Sequence, residues 1–132
     1  MLLFRAMKEA SEGVPEIGPT ARMLGVRPSE GTTTNPDVLA SSLDGLIIPG
    51  EGGMSVATND PTYLQRHRRP ASLGGIGLDP VWKIELEYLV PQLQFRQDSA
   101  THGVIEPKYP MTLREFQGAL AKTREKWRLH CR

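Results

Sequence analysis

The stretch VWKIELEYLVPQLQFRQDSATHGVIEP, residues 81–107, decides the fold, because it holds three strand-like runs with brief connections. In residues 81–89, Trp82, Ile84, Leu86 and Tyr88 alternate with charged residues, which predicts a half-buried strand. Residues 93–97 and 102–106 follow after brief connections and predict two further strands of the sheet. The stretch therefore predicts an antiparallel or mixed sheet.

Outward from this stretch, shorter elements are predicted in the N-terminal half. Residues 2–7 (LLFRAM) form a short apolar run between polar flanks, which indicates a first strand. Residues 46–49 and 54–58 predict two strands around a glycine turn. Asn35-Pro36 and Asp60-Pro61 predict helix starts for PDVLASSL (36–43) and PTYLQRH (61–67), because Asn or Asp caps a helix and proline fits its first position.

The C-terminal segment predicts the longest helix. Thr112 and Glu115 form a capping box, which satisfies N–H groups at a helix start. Phe116, Leu120 and Trp127 follow on one face, so a helix is predicted from about residue 112 to about 128. Its outer face carries Lys122, Arg124, Lys126 and Arg128. The predicted class is α+β, with a compact sheet, short helices and one long C-terminal helix.

Composition predicts a single domain over residues 1–132. The chain is 39% hydrophobic and 23% charged with a formal net charge of +1, so no strong field attracts nucleic acid or a membrane. Cys131 is the single cysteine, which excludes a disulfide framework and predicts a reducing compartment. No apolar run suggests a signal peptide or a bilayer span. These features predict a cytoplasmic protein without a membrane partner.

Arg5 is the first candidate functional residue, because it lies in the middle of the first predicted strand. A buried arginine there needs a carboxylate or an anionic ligand such as a phosphate. The alternative is an edge strand on which Arg5 faces water.

The segment Gly52-Gly53-Met54-Ser55 raises a second question. Glycines let a backbone approach a ligand closely, and Ser55 would then donate to that ligand or orient an acidic partner. The alternative is an ordinary turn serine. The segment has no P-loop lysine, and Ser55 does not stand in a G-x-S-x-G motif.

Two further polar groups are candidates for ligand contacts. HRRP, residues 67–70, either binds phosphate or is a solvated loop. His102 and Glu106 share one strand face, roughly 13 Å apart at about 3.3 Å per residue, so they reach two ends of a long ligand. Residues 96–98 (RQD) complete the polar set. No histidine spacing predicts a metal site.

The ordered set LFRA, DGLIIPGEGGMSV, LQFRQDS, HGVIEP and a helix ending in EKW resembles a toxin family. The family is the ADP-ribosyltransferase-like effectors of bacterial type VI secretion, which have fungal relatives. The resemblance implies a split sheet around an NAD cleft, NAD as substrate, and cytotoxicity inside a target cell. It also implies a macromolecular target and a small immunity protein as partners.

The resemblance also implies roles for individual residues. Arg5, Ser55 and His102 take family positions, and Glu106 is expected to be the catalytic acid by analogy with other ADP-ribosyltransferases. The expected catalytic set is Arg5, Ser55, His102 and Glu106. The expected NAD-binding set is Arg5, Gly53, Ser55, His67, Arg68 and Gln97. Tyr63, Trp82 or Tyr88 would stack on a base.

Two other functions fit the residues. An RNA-binding or RNA-modifying module would use the HRRP loop and the basic helix face for phosphate contacts. A non-enzymatic interaction protein would use its glycine-rich loops only as connections.

Overall fold

The computed structural model describes residues 1–11, 13–29, 35–40 and 42–132. Within these ranges the chain forms eight strands and one α-helix: β1 Leu2–Ala6, β2 Leu46–Ile47, β3 Met54–Thr58, β4 Val81–Glu85, β5 Leu93–Gln97, β6 His102–Pro107, β7 Met111–Thr112, α1 Leu113–Lys122 and β8 Arg128–Cys131. Single 3-10 turns lie at 61–63, 71–73, 86–88 and 124–126. No helix in the described ranges has the length and apolarity to cross a membrane.

Six strands form one antiparallel sheet in the order β5-β6-β3-β1-β4-β8, and β2 pairs with β7 separately. The strands predicted at 54–58 and 93–97 have the observed bounds, and those at 2–7 and 102–106 differ by one residue. The α+β class with a mostly antiparallel sheet is therefore confirmed.

The two central strands, β1 and β3, pair over a short distance. Only Leu3–Thr58 and Phe4–Ala57 are partners, whereas β1 and β4 share five residue pairs. Because β1 continues to Ala6 and β3 begins at Met54, the strands separate beyond Phe4. Backbone groups at this split need partners other than the neighbouring strand.

The main core lies between one sheet face and α1. Leu3, Trp82 and Ile84 from the sheet are buried in one cluster with Phe116 and Leu120 of the helix. The opposite face carries a smaller cluster, in which Leu64 and Leu73 pack against Phe4, Ala6, Ala57 and Val81. Residues 61–73 therefore cover the sheet beside the split.

The helix predicted at 36–43 was wrong for the residues described there, 36–40 and 42–43, which form bends and turns. Asn35 has a φ of 53°, which is left-handed rather than the extended conformation of a helix cap. The helix predicted from Pro61 is a single 3-10 turn, although Asp60 caps it by accepting from the Thr62 N–H.

The C-terminal helix begins as predicted, with the capping box of Thr112 and Glu115, but ends at Lys122 instead of residue 128. The Thr123 hydroxyl closes it by donating to the Leu120 carbonyl at 2.7 Å and accepting from Trp127 Nε1 at 3.0 Å. Trp127 is buried as predicted.

The chain then turns into β8, so the basic residues 122, 124, 126 and 128 do not share a helix face as predicted. The strand predicted at 81–89 is also shorter, because residues 86–88 form a 3-10 turn.

Candidate functional site

A cleft of about 240 Å³ lies at the split between β1 and β3, and we call it the split cleft. It brings together four of the predicted site residues: Arg5, Ser55, Arg68 and His102. The rest of its described lining is Ala6, Ala21, Arg27, Asp37, Val56, Ala57, Tyr63, Leu64 and Gln65.

The Arg5 guanidinium lies in the split and is only 6% exposed, so the solvent-facing alternative is wrong. Its Nη1 donates to the Ser55 carbonyl at 2.8 Å. Its Nε and Nη2 donate to the carbonyls of Ala21, Met23 and Gly25 at 3.0 to 3.3 Å. Burial lowers the pKa of Arg5 to about 10, so the group remains charged at neutral pH. Among the described residues, backbone carbonyls are the hydrogen-bond acceptors for this buried cation, and the nearby Asp37 charge partly offsets the effect of burial on its pKa.

Ser55 and His102 present their side chains at the cleft from neighbouring strands. Ser55 is exposed, and its Oγ has no hydrogen-bond partner among the described residues. His102 Nδ1 lies 2.7 Å from Asp98 Oδ1 across the β5–β6 turn. The carboxylate therefore fixes the orientation of the imidazole.

Glu106, the residue expected to be the catalytic acid, is buried in the structure. It is 2% exposed and does not belong to the described lining of the cleft. It accepts hydrogen bonds from Gln94 Nε2 at 2.7 Å, Arg96 Nε at 2.8 Å and the Gly50 N–H at 3.0 Å. Burial alone raises the pKa of Glu106, but these bonds outweigh burial and hold it below its ordinary value.

The double glycine has a structural reason that the sequence did not reveal. A Cβ on Gly52 would lie 2.2 Å from the Asp37 carbonyl oxygen, and its φ of +126° disfavours other residues. A Cβ on Gly53 would lie 2.4 Å from the Ile105 carbonyl oxygen. The absence of a Cβ on both glycines allows the backbone of Asp37 and Ile105 to lie close to them. Gly53 does not belong to the described lining of the split cleft.

Two other residues of the expected NAD-binding set lie outside the split cleft. Gln97 is exposed, and its amide donates to the Ser99 carbonyl. His67 lines an adjoining cleft of about 580 Å³, which shares Ala21 and Arg68 with the split cleft. His67 is thus a neighbour of the site.

The described lining of the split cleft carries three arginines, Arg5, Arg27 and Arg68, and one carboxylate, Asp37. Burial and the nearby Arg27 charge lower the pKa of Arg68. Asp37 Oδ2 lies 3.5 Å from Arg27 Nε and accepts from the Arg27 N–H at 2.7 Å. The net positive charge suits an anionic ligand with about two negative charges.

Arg27 and Asp37 are site residues that sequence reasoning missed. Asp37 follows Asn35-Pro36, a dipeptide that predicts a helix start. The Asp37 N–H instead donates to the Arg27 carbonyl at 2.9 Å, and such a loop pairing leaves no periodic pattern in a sequence.

Of the three predicted stacking aromatics, Tyr63 lines the cleft. Trp82 is buried and donates to the Met7 carbonyl, and the Tyr88 ring lies under Lys126.

Among the described residues, no group of three or more histidine, cysteine or acidic side chains could hold a metal ion. No curated protein matches the chain. A family model described as Tse2 ADP-ribosyltransferase toxin matches residues 2–127, nearly the whole sequence. The chain therefore belongs to the Tse2 ADP-ribosyltransferase toxin family.

Proposed function

We propose that this chain is an NAD-dependent ADP-ribosyltransferase that acts as a toxin inside a target cell, and that NAD binds in the split cleft. The observation that carries the proposal is the charge of this cleft, three arginines against one carboxylate in its described lining. The pyrophosphate of NAD carries two negative charges, so this donor set fits it.

Arg27 and Arg68 are the proposed phosphate ligands. The Arg5 donors bind backbone carbonyls, so we assign to Arg5 an electrostatic contribution rather than a direct phosphate contact. Arg68 lines both clefts, and a planar guanidinium binds phosphate through two parallel hydrogen bonds. Gly53 and Gln97 do not line the split cleft, so we assign them no NAD contact. His67 lines the adjoining cleft and is a neighbour of the proposed NAD site.

The remaining side chains of the split cleft fit the other parts of the substrate. Cleavage of NAD at its nicotinamide bond builds positive charge on the ribose, as in glycoside cleavage. Ser55 and Tyr63 both line the cleft, so we assign the Ser55 hydroxyl to hydrogen-bond the ribose or the carboxamide and Tyr63 to stack on a ring. His102, oriented by Asp98, is placed to take the proton of an acceptor nucleophile through Nε2.

Family membership supports the wider setting of this proposal. We place the toxin in the cytoplasm of a target cell, delivered by type VI secretion and neutralised by a small immunity protein. Residues 1–132 act as one domain, and the ADP-ribose acceptor is a macromolecule of that cell.

Ser55→Ala tests the proposal in cells. Expression of the wild-type chain should arrest bacterial growth, and Ser55→Ala should restore it because the cleft hydroxyl is lost. Circular dichroism checks that the variant is folded. Ser42→Ala, an exposed serine outside the cleft lining, is the matched control and should remain toxic. Equal toxicity of folded Ser55→Ala and wild type would overturn the role of Ser55.

A further inference from the structure

We propose that Asp37, rather than Glu106, is the carboxylate that stabilises positive charge on the ribose during NAD cleavage. This inference rests on the proposed function. Asp37 is the sole carboxylate in the described lining of the split cleft. Its side chain is 14% exposed, so it is shielded from bulk water while one side remains open to the cleft. A carboxylate in such a place stabilises a developing cation more strongly than one in solvent.

The backbone around Asp37 is held on two sides. Its N–H donates to the Arg27 carbonyl at 2.9 Å, and its carbonyl accepts from the Gly53 N–H at 3.1 Å. The missing Cβ of Gly52 allows this approach, since an added Cβ would lie 2.2 Å from the Asp37 carbonyl oxygen. The double glycine thus places the Asp37 backbone beside Gly53, which lies two residues before Ser55. Preorganisation of this kind is what electrostatic catalysis requires.

The oxygens of Asp37 retain capacity to accept further hydrogen bonds. Oδ2 accepts the Arg27 N–H at 2.7 Å, but among the described residues Oδ1 has only a contact of 3.5 Å to Arg27 Nη2. Such a length is at the limit of a hydrogen bond, so Oδ1 can accept from a ribose hydroxyl. Glu106 differs, because three donors occupy its two oxygens and it lies outside the cleft lining.

The step assigned to Asp37 needs no oxidant or reductant. The bond between ribose C1′ and the nicotinamide nitrogen breaks, and its electron pair leaves with neutral nicotinamide. The positive charge passes from the pyridinium ring to the ribose, beside the Asp37 carboxylate. A lone pair of the acceptor, either water or a target group, forms the new bond to C1′, and the proton of the acceptor is released to a base. Asp37 remains ionised throughout and forms no covalent bond.

Asp37→Asn tests this inference, because the amide keeps an acceptor for the Arg27 N–H and removes the charge. We expect NAD cleavage to fall by about 10²- to 10³-fold, the effect of removing one electrostatic stabiliser. The NAD dissociation constant from calorimetry should stay equal or decrease, since a negative charge beside the pyrophosphate is removed. The melting temperature should stay near that of the wild type. Asp44→Asn removes one exposed carboxylate elsewhere and should cleave NAD at the wild-type rate.

Each outcome separates the inference from the proposed function. If wild type binds and cleaves NAD and folded Asp37→Asn cleaves it as fast, Asp37 is not the carboxylate and the inference is overturned while the function stands. If Asp37→Asn loses NAD affinity together with cleavage, Asp37 only shapes the binding site and the inference is again overturned. If wild type neither binds nor cleaves NAD, the proposed function itself fails. Should Asp37→Asn unfold, Asp37→Ser gives a second uncharged acceptor for the same comparison.

Discussion

Arg5 is a buried charged residue of β1, and it donates a hydrogen bond to β3 at the split between the two strands. A lone buried cation is strongly unfavourable, and a carboxylate partner was one expected solution. The protein uses four backbone carbonyls instead, including that of Ser55 in the separated strand. The guanidinium therefore connects β1 to the Ser55 carbonyl of β3 and to carbonyls of residues 21–25, and a planar group with several donors suits all four acceptors.

Replacement of Arg5 tests this role at the scale of one residue. Arg5→Lys keeps the charge but offers a single donor nitrogen, so several of the four carbonyls that bind Arg5 lose their hydrogen-bond donor. We expect a loss of about 3 kcal/mol in the free energy of unfolding, in line with lost charge-assisted bonds to buried groups. Chemical denaturation measures it. Arg66→Lys, at an exposed position, is the control and should change the value by less than about 0.5 kcal/mol. An Arg5→Lys variant as stable as wild type would show that the carbonyls do not need this group.

At the scale of elements, the turn between β2 and β3 is the connection that assembles the site. It brings the backbone of Asp37 against Gly52 and that of Ile105 against Gly53. The Gly50 N–H also donates to Glu106, so the turn is bonded to β6 as well. The buried Glu106 carboxylate therefore stabilises the turn and holds the elements of the site together.

Gly52→Ala and Gly50→Ala form a matched pair for this turn. Both glycines have positive φ, +126° and +91°, but only Gly52 has a backbone oxygen where a Cβ would stand. Gly50→Ala should lose about 1 kcal/mol of stability from backbone strain alone. Gly52→Ala should lose clearly more and should also reduce toxicity, because Asp37 is displaced. Thermal melts and growth assays measure both effects, and equal melting temperatures for the two variants would contradict the close approach of Asp37.

At the scale of the whole molecule, the sequence predicted most of the sheet and only part of the site. The strands β3 and β5 were located to the residue because short strand-like runs bounded by turns or brief connections are typical of sheet strands. The end of α1 was missed because Trp127 continues the apolar stripe after the helix has stopped, held by a bond to Thr123. A buried apolar residue at helical spacing is therefore compatible both with a continued helix and with a chain that has already left the helix.

The site was harder to predict because its parts come together through irregular segments. Arg5, Ser55 and His102 stand on strands, and their positions followed from strand prediction and family resemblance. Arg27 and Asp37 stand on loops whose backbone pairings have no sequence period. Glu106 shared a strand face with His102, as predicted, but its hydrogen-bond partners from β5 and the glycine turn were invisible in the sequence.

Calorimetric titration of NAD into the wild type, Arg68→Gln and Arg66→Gln tests the central claim, that the split cleft is an NAD site, most directly. Arg68 lines the split cleft and Arg66, in the same loop, does not. We predict saturable binding by wild type, about 10- to 100-fold weaker binding by Arg68→Gln from the loss of a charge-assisted phosphate contact, and unchanged binding by Arg66→Gln. Wild type without measurable NAD binding, or Arg68→Gln with wild-type affinity, would contradict the assignment of NAD to this cleft.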